Sequence, residues 1–239
     1  MGVTTPRRRR VRAAAIMEMR QTARSILVAD GASAVTLRAV AAAMGMTAPA
    51  LYRYVDSHED LLAEVAALCN TEVADAMTAA RDREPTDDPA RRLIAVTRAF
   101  RVWALDHPAE FSLIFTSPDM ARRCSNGDLE AAYRRFGWTF GALFAELVNS
   151  GGARAWPDER VPAVGQDSAL VTAMAVPPGA AAQFVQYWTR IYGTVSMEVF
   201  GHLDWAVTDG GPVFEAMLLG VCRDLGIADA YEAADAGAA

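Results

Sequence analysis

The sequence predicts an all-α protein, with a small three-helix head at the N-terminus and a larger helical body behind it. Three observations lead there. Apolar residues recur at three- and four-residue spacing in segment after segment, no stretch alternates with the period of two that marks a half-buried strand, and Gly- and Pro-containing breaks separate the segments. No internal repeat appears. At 239 residues, 52% hydrophobic and 22% charged, the chain has enough apolar material for a packed core and is not of disordered composition.

In chain order, Met1 to Arg12 reads as a flexible arm, and Arg7 to Arg12 is its dense run of positive charge. The arm is either a solvated tail or a contact for a polyanion. Ile16, Met19, Ala23, Ile26 and Leu27 then keep helical spacing until Asp30-Gly31 closes the helix. Arg20 and Arg24 share one face of it, and at least one of them is expected at a nucleic-acid backbone.

The next stretch, Thr36 to Leu62, organises the rest. Thr36 can cap a helix carrying Leu37, Val40, Ala41 and Met44, and Gly45 can leave it with a positive φ. Thr47 can cap a second helix. Pro49 sits in its first turn, where the missing N–H has no intrahelical partner, and about two turns fit before Val55. Ser57 and Asp60 form a capping-box-like pair opening a long helix with Leu61, Leu62, Val65, Leu68 and Cys69 on one face. Two helices around a tight Gly-containing turn make a helix-turn-helix, whose second helix enters the DNA major groove.

At these residues the chain resembles the TetR family of bacterial transcription regulators. The elements that carry the likeness are Thr36-Leu37-Arg38, the Ala-rich Val40 to Met44 helix, Gly45-Met46-Thr47, and Leu51-Tyr52-x-Tyr54-Val55 running into Ser57-x-Glu59-x-Leu61-Leu62. The resemblance implies that Thr47, Ala48 and Ala50 read base edges, with Pro49 in the same turn. It also implies that Tyr52 and Tyr54 touch phosphates or a thymine methyl, and that Thr36 and Arg38 meet the backbone. Arg53 would add to the readout, and DNA shape would supply the rest. His58 stands where family members usually carry Lys, which makes that phosphate contact pH-dependent.

Charge divides the chain in the same place. Residues 1–56 hold nine Arg against Glu18, Asp30 and Asp56, a net +6, whereas the remainder is −12, so the overall −6 conceals a basic head on an acidic body. A polyanion is drawn to one end and repelled from the other. Every cation is Arg, the better bidentate ligand for phosphate and guanine. The three cysteines, Cys69, Cys124 and Cys222, are isolated, which suits neither a disulfide framework nor a metal site and points to a reducing cytoplasm. There is no apolar run of eighteen residues, so no membrane partner is expected.

Behind the head, the helix from Ser57 runs to about Arg83 and stops at Glu84-Pro85. Ala90 to Asp106 follows, with Leu93, Val96, Phe100 and Trp103 or Leu105 inward, then a short helix from Ala109 to Phe115. Asp128 to Asn149 carries Leu129, Tyr133, Phe136, Phe140, Leu143, Phe144 and Leu147, and Ser150 to Val164 is a polar loop. Gln166 to Ala175 forms a short helix. Ala180 to Leu203 presents a wide apolar face through Phe184, Trp188, Ile191, Tyr192, Val195, Val199 and Leu203, with Tyr187 and Met197 elsewhere. Val213 to Leu225 comes next, and the Ala- and acid-rich tail from Asp229 is expected to fray. The expected domains are an arm (1–12), a DNA-binding head (13–60), a ligand-binding and dimerisation body (61–228) and a tail (229–239).

The string Trp188-x-x-Ile191-Tyr192-Gly193-x-x-Ser196-x-Glu198-x-x-Gly201-His202 is similar to the C-terminal ligand-binding and dimerisation domain of one TetR subgroup. The resemblance implies a homodimeric repressor on a palindromic operator of double-stranded DNA, released by a small apolar or amphipathic effector. Trp103, Phe111, Phe115, Phe140, Phe144, Trp188 and Tyr192 are expected around the effector. Val195, Val199, Leu203, Phe214, Met217, Leu218 and Val221 are expected at a four-helix, two-fold interface. Glu198 and His202, four apart, have the spacing of a shared metal or acid–base pair but no third ligand, and an ion pair is the stronger reading. No catalytic residue, metal or cofactor is expected. The rival class is a helical enzyme or small-molecule carrier whose head is only a packing module; it needs a nucleophile, metal cluster or phosphate loop that this sequence lacks.

Overall fold

The computed structural model describes residues 6–115, 127–157 and 169–236. Among them every regular element is helical: α1 (Pro6–Asp30), α2 (Leu37–Ala43), α3 (Ala48–Leu51), α4 (His58–Arg81), α5 (Pro89–Asp106), α6 (Pro108–Phe115), α7 (Gly127–Asn149), α8 (Ala169–Met174), α9 (Pro178–Val199), α10 (Gly211–Leu225) and α11 (Ala228–Ala236). The sequence-derived all-α class and the helix order match this architecture. No helix among the described residues is long and apolar enough to cross a membrane.

Two compact units emerge. The first comprises Met1–Glu72 and His107–Arg134, the second Val73–Asp106 and Arg135–Ala239. The expected head boundary at residue 60 therefore falls inside the first unit, which also takes in α4 as far as Glu72 and the whole of α6. Ion pairs and burial supply the reason. Arg20 Nε donates to Glu64 of α4 at 2.6 Å, while Arg24 reaches Glu72 of α4 at 2.7 Å and Glu110 of α6 at 2.9 Å. Glu110 is only 3% exposed, and a carboxylate taken that far from water needs a cation beside it. Arg20 and Arg24, at least one of them expected at the DNA backbone, are thus both paired with acids inside the unit.

In the first unit, Met19, Ala23 and Leu27 of α1 and Val35, Val40, Leu51, Val55 and Leu61 are all buried. Helix α1 begins at Pro6, so residues 6–12, expected as an arm, are helical. Pro is well suited to the first helical position, and the Arg and Ala residues after it are strong helix formers with nothing to break the run. Residues 1–5, Cys124, residues 158–164 of the expected loop, 166–168 of the expected short helix and 237–239 of the tail lie outside the described residues.

In the second unit, α5, α7, α9 and α10 enclose the apolar core around Phe100, Phe140, Phe144 and Phe214. Residues 150–157 form no helix, as expected of the loop, yet they are tied down. Arg154 N–H donates to the Leu225 carbonyl at 2.8 Å, and the buried Gln183 side chain donates to the Arg154 carbonyl and accepts from Trp156 N–H at 3.0 and 3.1 Å. A side chain at Gly179 would collide with the Trp156 and Pro157 backbone, so that position needs glycine. The tail expected to fray is α11. Tyr231 anchors it by donating to Glu215 of α10 at 2.8 Å, with the Arg98 guanidinium 5.1 Å above its ring.

Candidate functional site

The helix-turn-helix is built by local rules. Thr36 is extended (φ −113, ψ 152) and its Oγ1 accepts the Ala39 N–H at 3.1 Å, the expected cap. Gly45 has φ +67, its N–H donates to the Ala42 carbonyl at 3.1 Å, and Met46 N–H donates to the Ala41 carbonyl at 2.8 Å. These paired bonds form a Schellman closure and give the turn its hand. Thr47 occupies the N-cap of α3, but its side chain makes no capping bond. The donors such a cap would use are missing: Pro49 has no N–H, and Ala50 N–H already donates to the Thr47 carbonyl at 2.9 Å. Helix α3 is shorter than expected, one turn to Leu51, and hydrogen-bonded turns carry the chain through Tyr54. Ser57 then accepts the Asp60 N–H at 3.0 Å, the forward half of a capping box.

Leu51 and Val55 hold α3 from the inside, and the opposite side stays in water. Thr36, Arg38, Thr47, Pro49, Tyr52 and Arg53 are exposed, while Ala48, Ala50, Tyr54 and His58 are half-buried. Tyr52 is 51% exposed, an unusual state for an aromatic with no partner surface. Tyr54 instead lies under the Arg12 guanidinium, 5.6 Å from its ring centroid, and Arg12 donates to the Arg53 carbonyl at 3.1 Å. The two tyrosines therefore differ, one open and one packed. His58 Nε2 lies 2.7 Å from the Val35 carbonyl, so it ties the start of α4 to the segment before α2 and does not mimic a lysine reaching outward.

The second unit holds a cavity of about 30 Å³, room for one or two waters, between α5, α7, α9 and α10. Phe140, Phe144, Phe184, Tyr187 and Trp188 form its aromatic side, and Leu93, Ile94, Ile191, Leu218, Val221, Leu225 and Ile227 its aliphatic side. No charged residue lines it. Thr97 is turned inward on itself, its hydroxyl donating to the Leu93 carbonyl at 2.8 Å. Burial pushes the Cys222 thiol up to about 12, so it lines the wall as a small apolar group and not as a thiolate. Trp188 is the hub of an aromatic cluster, with centroids 5.6 Å from Phe100, 5.5 Å from Phe136, 5.4 Å from Phe140 and 5.9 Å from Tyr192, which stacks on it.

Residues 20–65 match the family model for bacterial regulatory proteins of the tetR family, and residues 93–221, more than half the chain, match the model for the tetracyclin repressor-like C-terminal domain. The chain belongs to the TetR family. It is a DNA-binding transcriptional regulator. The HTH-type transcriptional regulators Rv1816 of Mycobacterium tuberculosis (strain ATCC 25618 / H37Rv) and Mb1846 of Mycobacterium bovis are each 29% identical over 194 residues, 80% of this chain and 83% of theirs. The crystal structure of SCO4313, described as a candidate regulatory protein, is 26% identical, covers 91% of this chain and 98% of its own, and superposes with a TM-score of 0.63. The TetR/AcrR regulator from Thermobifida fusca YX-ER1, 18% identical over 87% of this chain and 97% of its own, shares the fold at a TM-score of 0.54.

Of the residues expected around an effector, Phe140, Phe144 and Trp188 line this cavity, and Tyr192 stands behind Trp188. Trp103 is buried away from the lining. Phe111 and Phe115 belong to α6 in the other unit, where they pack together at 4.8 Å. Sequence reasoning missed Thr97, Phe184, Tyr187 and Cys222, and it placed Tyr187 off the inward face when it is 3% exposed. Four of the residues expected at a dimer interface, Val195, Phe214, Leu218 and Val221, are buried within their own chain, and two of these line the cavity. A regular apolar stripe marks the face packed on its own core, which is why periodicity selected them. Val199, Leu203 and Met217 are partly exposed. Glu198 is the bidentate partner of Arg101, at 2.8 and 2.5 Å, and no group of three or more His, Cys, Asp or Glu side chains gathers among the described residues.

Proposed function

We propose that this TetR protein is a homodimeric repressor that binds a palindromic operator and is released by a small, uncharged, apolar ligand. The carrying observation is the exposed outer side of α2 and α3, rich in polar and cationic groups, on a head of opposite charge to the rest of the chain. Thr47, Ala48, Pro49 and Ala50 read the groove, Tyr52 and Arg53 extend the contact, and Thr36 and Arg38 meet the flanking phosphates.

Dimerisation fits the outward sides of α9 and α10. Among the described residues of the second unit, Val185, Met197, Trp205 and Val213 are exposed large apolar residues on these helices or their connection, with Trp205 87% exposed, while Val102 on α5 and Trp138 on α7 are the others. This surface replaces the buried set that periodicity suggested. A two-fold pair built on it presents two reading helices to successive major grooves, about 34–36 Å apart.

The cavity supports the effector reading. Its lining offers aromatic faces and aliphatic walls with no charge, which favours an apolar aromatic compound over an anion or a sugar. At its present size a ligand must open it by moving the helices that line it, and such a ligand shifts the regulator only by its preference for the opened state, on the order of 5.5 kcal/mol for a near-complete switch. The test is selection of genomic fragments by the purified full-length protein, followed by mobility shift in the presence of hydrophobic aromatics. Retention of no fragment better than competitor DNA refutes the reading.

A further inference from the structure

We propose that Arg12 is a positioning residue for the reading helix: its guanidinium fixes the turn after α3 from the outside and does not contact phosphate. The inference rests on the reading that α2 and α3 dock on DNA, and it adds a residue from outside the motif. Arg12 lies in the segment whose charge alone suggests a backbone contact, yet helical register puts it in line with Ile16, Met19, Ala23 and Leu27 of α1, at the solvent-exposed N-terminal end of that line. Arg7 and Arg10, exposed as Arg12 is, fall off that line.

The contacts follow from that register. One Nη of Arg12 donates to the Arg53 carbonyl at 3.1 Å and the guanidinium lies 5.6 Å from the Tyr54 ring centroid. A helix of four residues has almost no stability of its own, and buried Leu51 and Val55 anchor α3 from the inside. The Arg12 contact is the outer tie. It holds the turn on which Tyr52 and Arg53 project toward solvent, so the orientation of both depends on it. The geometry uses the planar face and an edge N–H of one guanidinium together, which an ammonium cannot reproduce.

Lysine therefore separates position from charge. The probe is the tightest duplex that the full-length protein recovers from a random-sequence library, titrated over a salt series. Arg12→Lys, which keeps the charge, is expected to weaken binding about five- to tenfold, with the slope of log affinity against log salt unchanged. Arg12→Met is expected to lose a similar factor, again without the drop of roughly 0.9 in slope that removal of a phosphate contact brings. Adding Arg12→Lys to Tyr54→Leu is expected to cost little beyond Tyr54→Leu alone, because both remove the same tie. Thermal unfolding confirms that each variant is folded. Full affinity in Arg12→Lys, or a slope loss near 0.9 in Arg12→Met, overturns the inference while leaving the DNA-binding reading intact. Failure of the parent protein to recover any duplex removes the reading and the inference together.

Discussion

Arg98 of α5 and Glu215 of α10 meet as a bidentate pair, with Nε and Nη2 donating to the two carboxylate oxygens at 3.0 and 2.8 Å. Tyr231 of α11 donates to the same carboxylate, so one acid joins three helices. Burial pushes the Glu215 carboxyl up, but the hydrogen bonds from Arg98 and Tyr231 outweigh it and hold the group below its ordinary value of 4.5. A depressed carboxylate contributes stability above its unfolded-state value and loses it as pH falls through the folded-state value. Glu215→Gln is therefore expected to cost roughly 1 kcal/mol near neutral pH, a figure discounted for partial exposure, with the difference from the parent shrinking below about pH 4. Urea midpoints of both proteins across that range check it.

Tyr52 and Tyr54, two residues apart, predict different losses. Tyr52→Ala is expected to leave the unfolding temperature unchanged and to weaken operator binding roughly tenfold, because the ring is mostly solvated and makes its contacts only with DNA. Tyr54→Ala is expected to lower both, since its ring packs against Arg12. Paired calorimetry and mobility shift measure the contrast, and equal behaviour of the two variants counts against it.

Gly45 tests the turn. No neighbour lies within 4 Å of the point where a Cβ would stand, so Gly45→Ala meets no clash, only the left-handed backbone at φ +67. The expected cost is about 1–2 kcal/mol, or a drop of several degrees in the unfolding midpoint. A midpoint within one degree of the parent, roughly, contradicts it.

The helix-turn-helix was readable because its determinants are local. Thr36, Gly45, Pro49 and Ser57 act on backbone groups within a few residues, and the charge boundary at the same place needs no tertiary information. The body was less readable. Phe111 and Phe115 are as aromatic as Phe140 and Phe144, and only tertiary packing assigns the two pairs to different units. Phe214, Leu218 and Val221 sit on a helix with two apolar sides, and spacing does not say which side meets the same chain. The last helix was invisible because Ala-rich, acidic composition suggests fraying, whereas its packing on α5 and α10, with the Tyr231 hydrogen bond to Glu215, is tertiary. Arg12 was hidden by its neighbours: within a run of arginines, the one in register to reach the turn after α3 carries no local signature.

Val221→Leu tests the cavity. One added methylene is expected to occupy the space with a stability change within about 1 kcal/mol, because the site has room and stays apolar. Operator affinity without ligand is expected to be unchanged, whereas the concentration of an aromatic effector needed for release rises about tenfold or more. An unchanged effector response places the ligand elsewhere.

The most direct test of the central claim, that a basic reading head on an acidic body binds duplex DNA in a sequence-selective way, is a salt titration of the purified full-length protein on its selected duplex and on a scrambled one. The account predicts a log–log slope several units below zero on both, with the selected duplex at least about a thousandfold tighter at physiological salt. Equal affinity for the two duplexes, or binding that does not respond to salt, contradicts it.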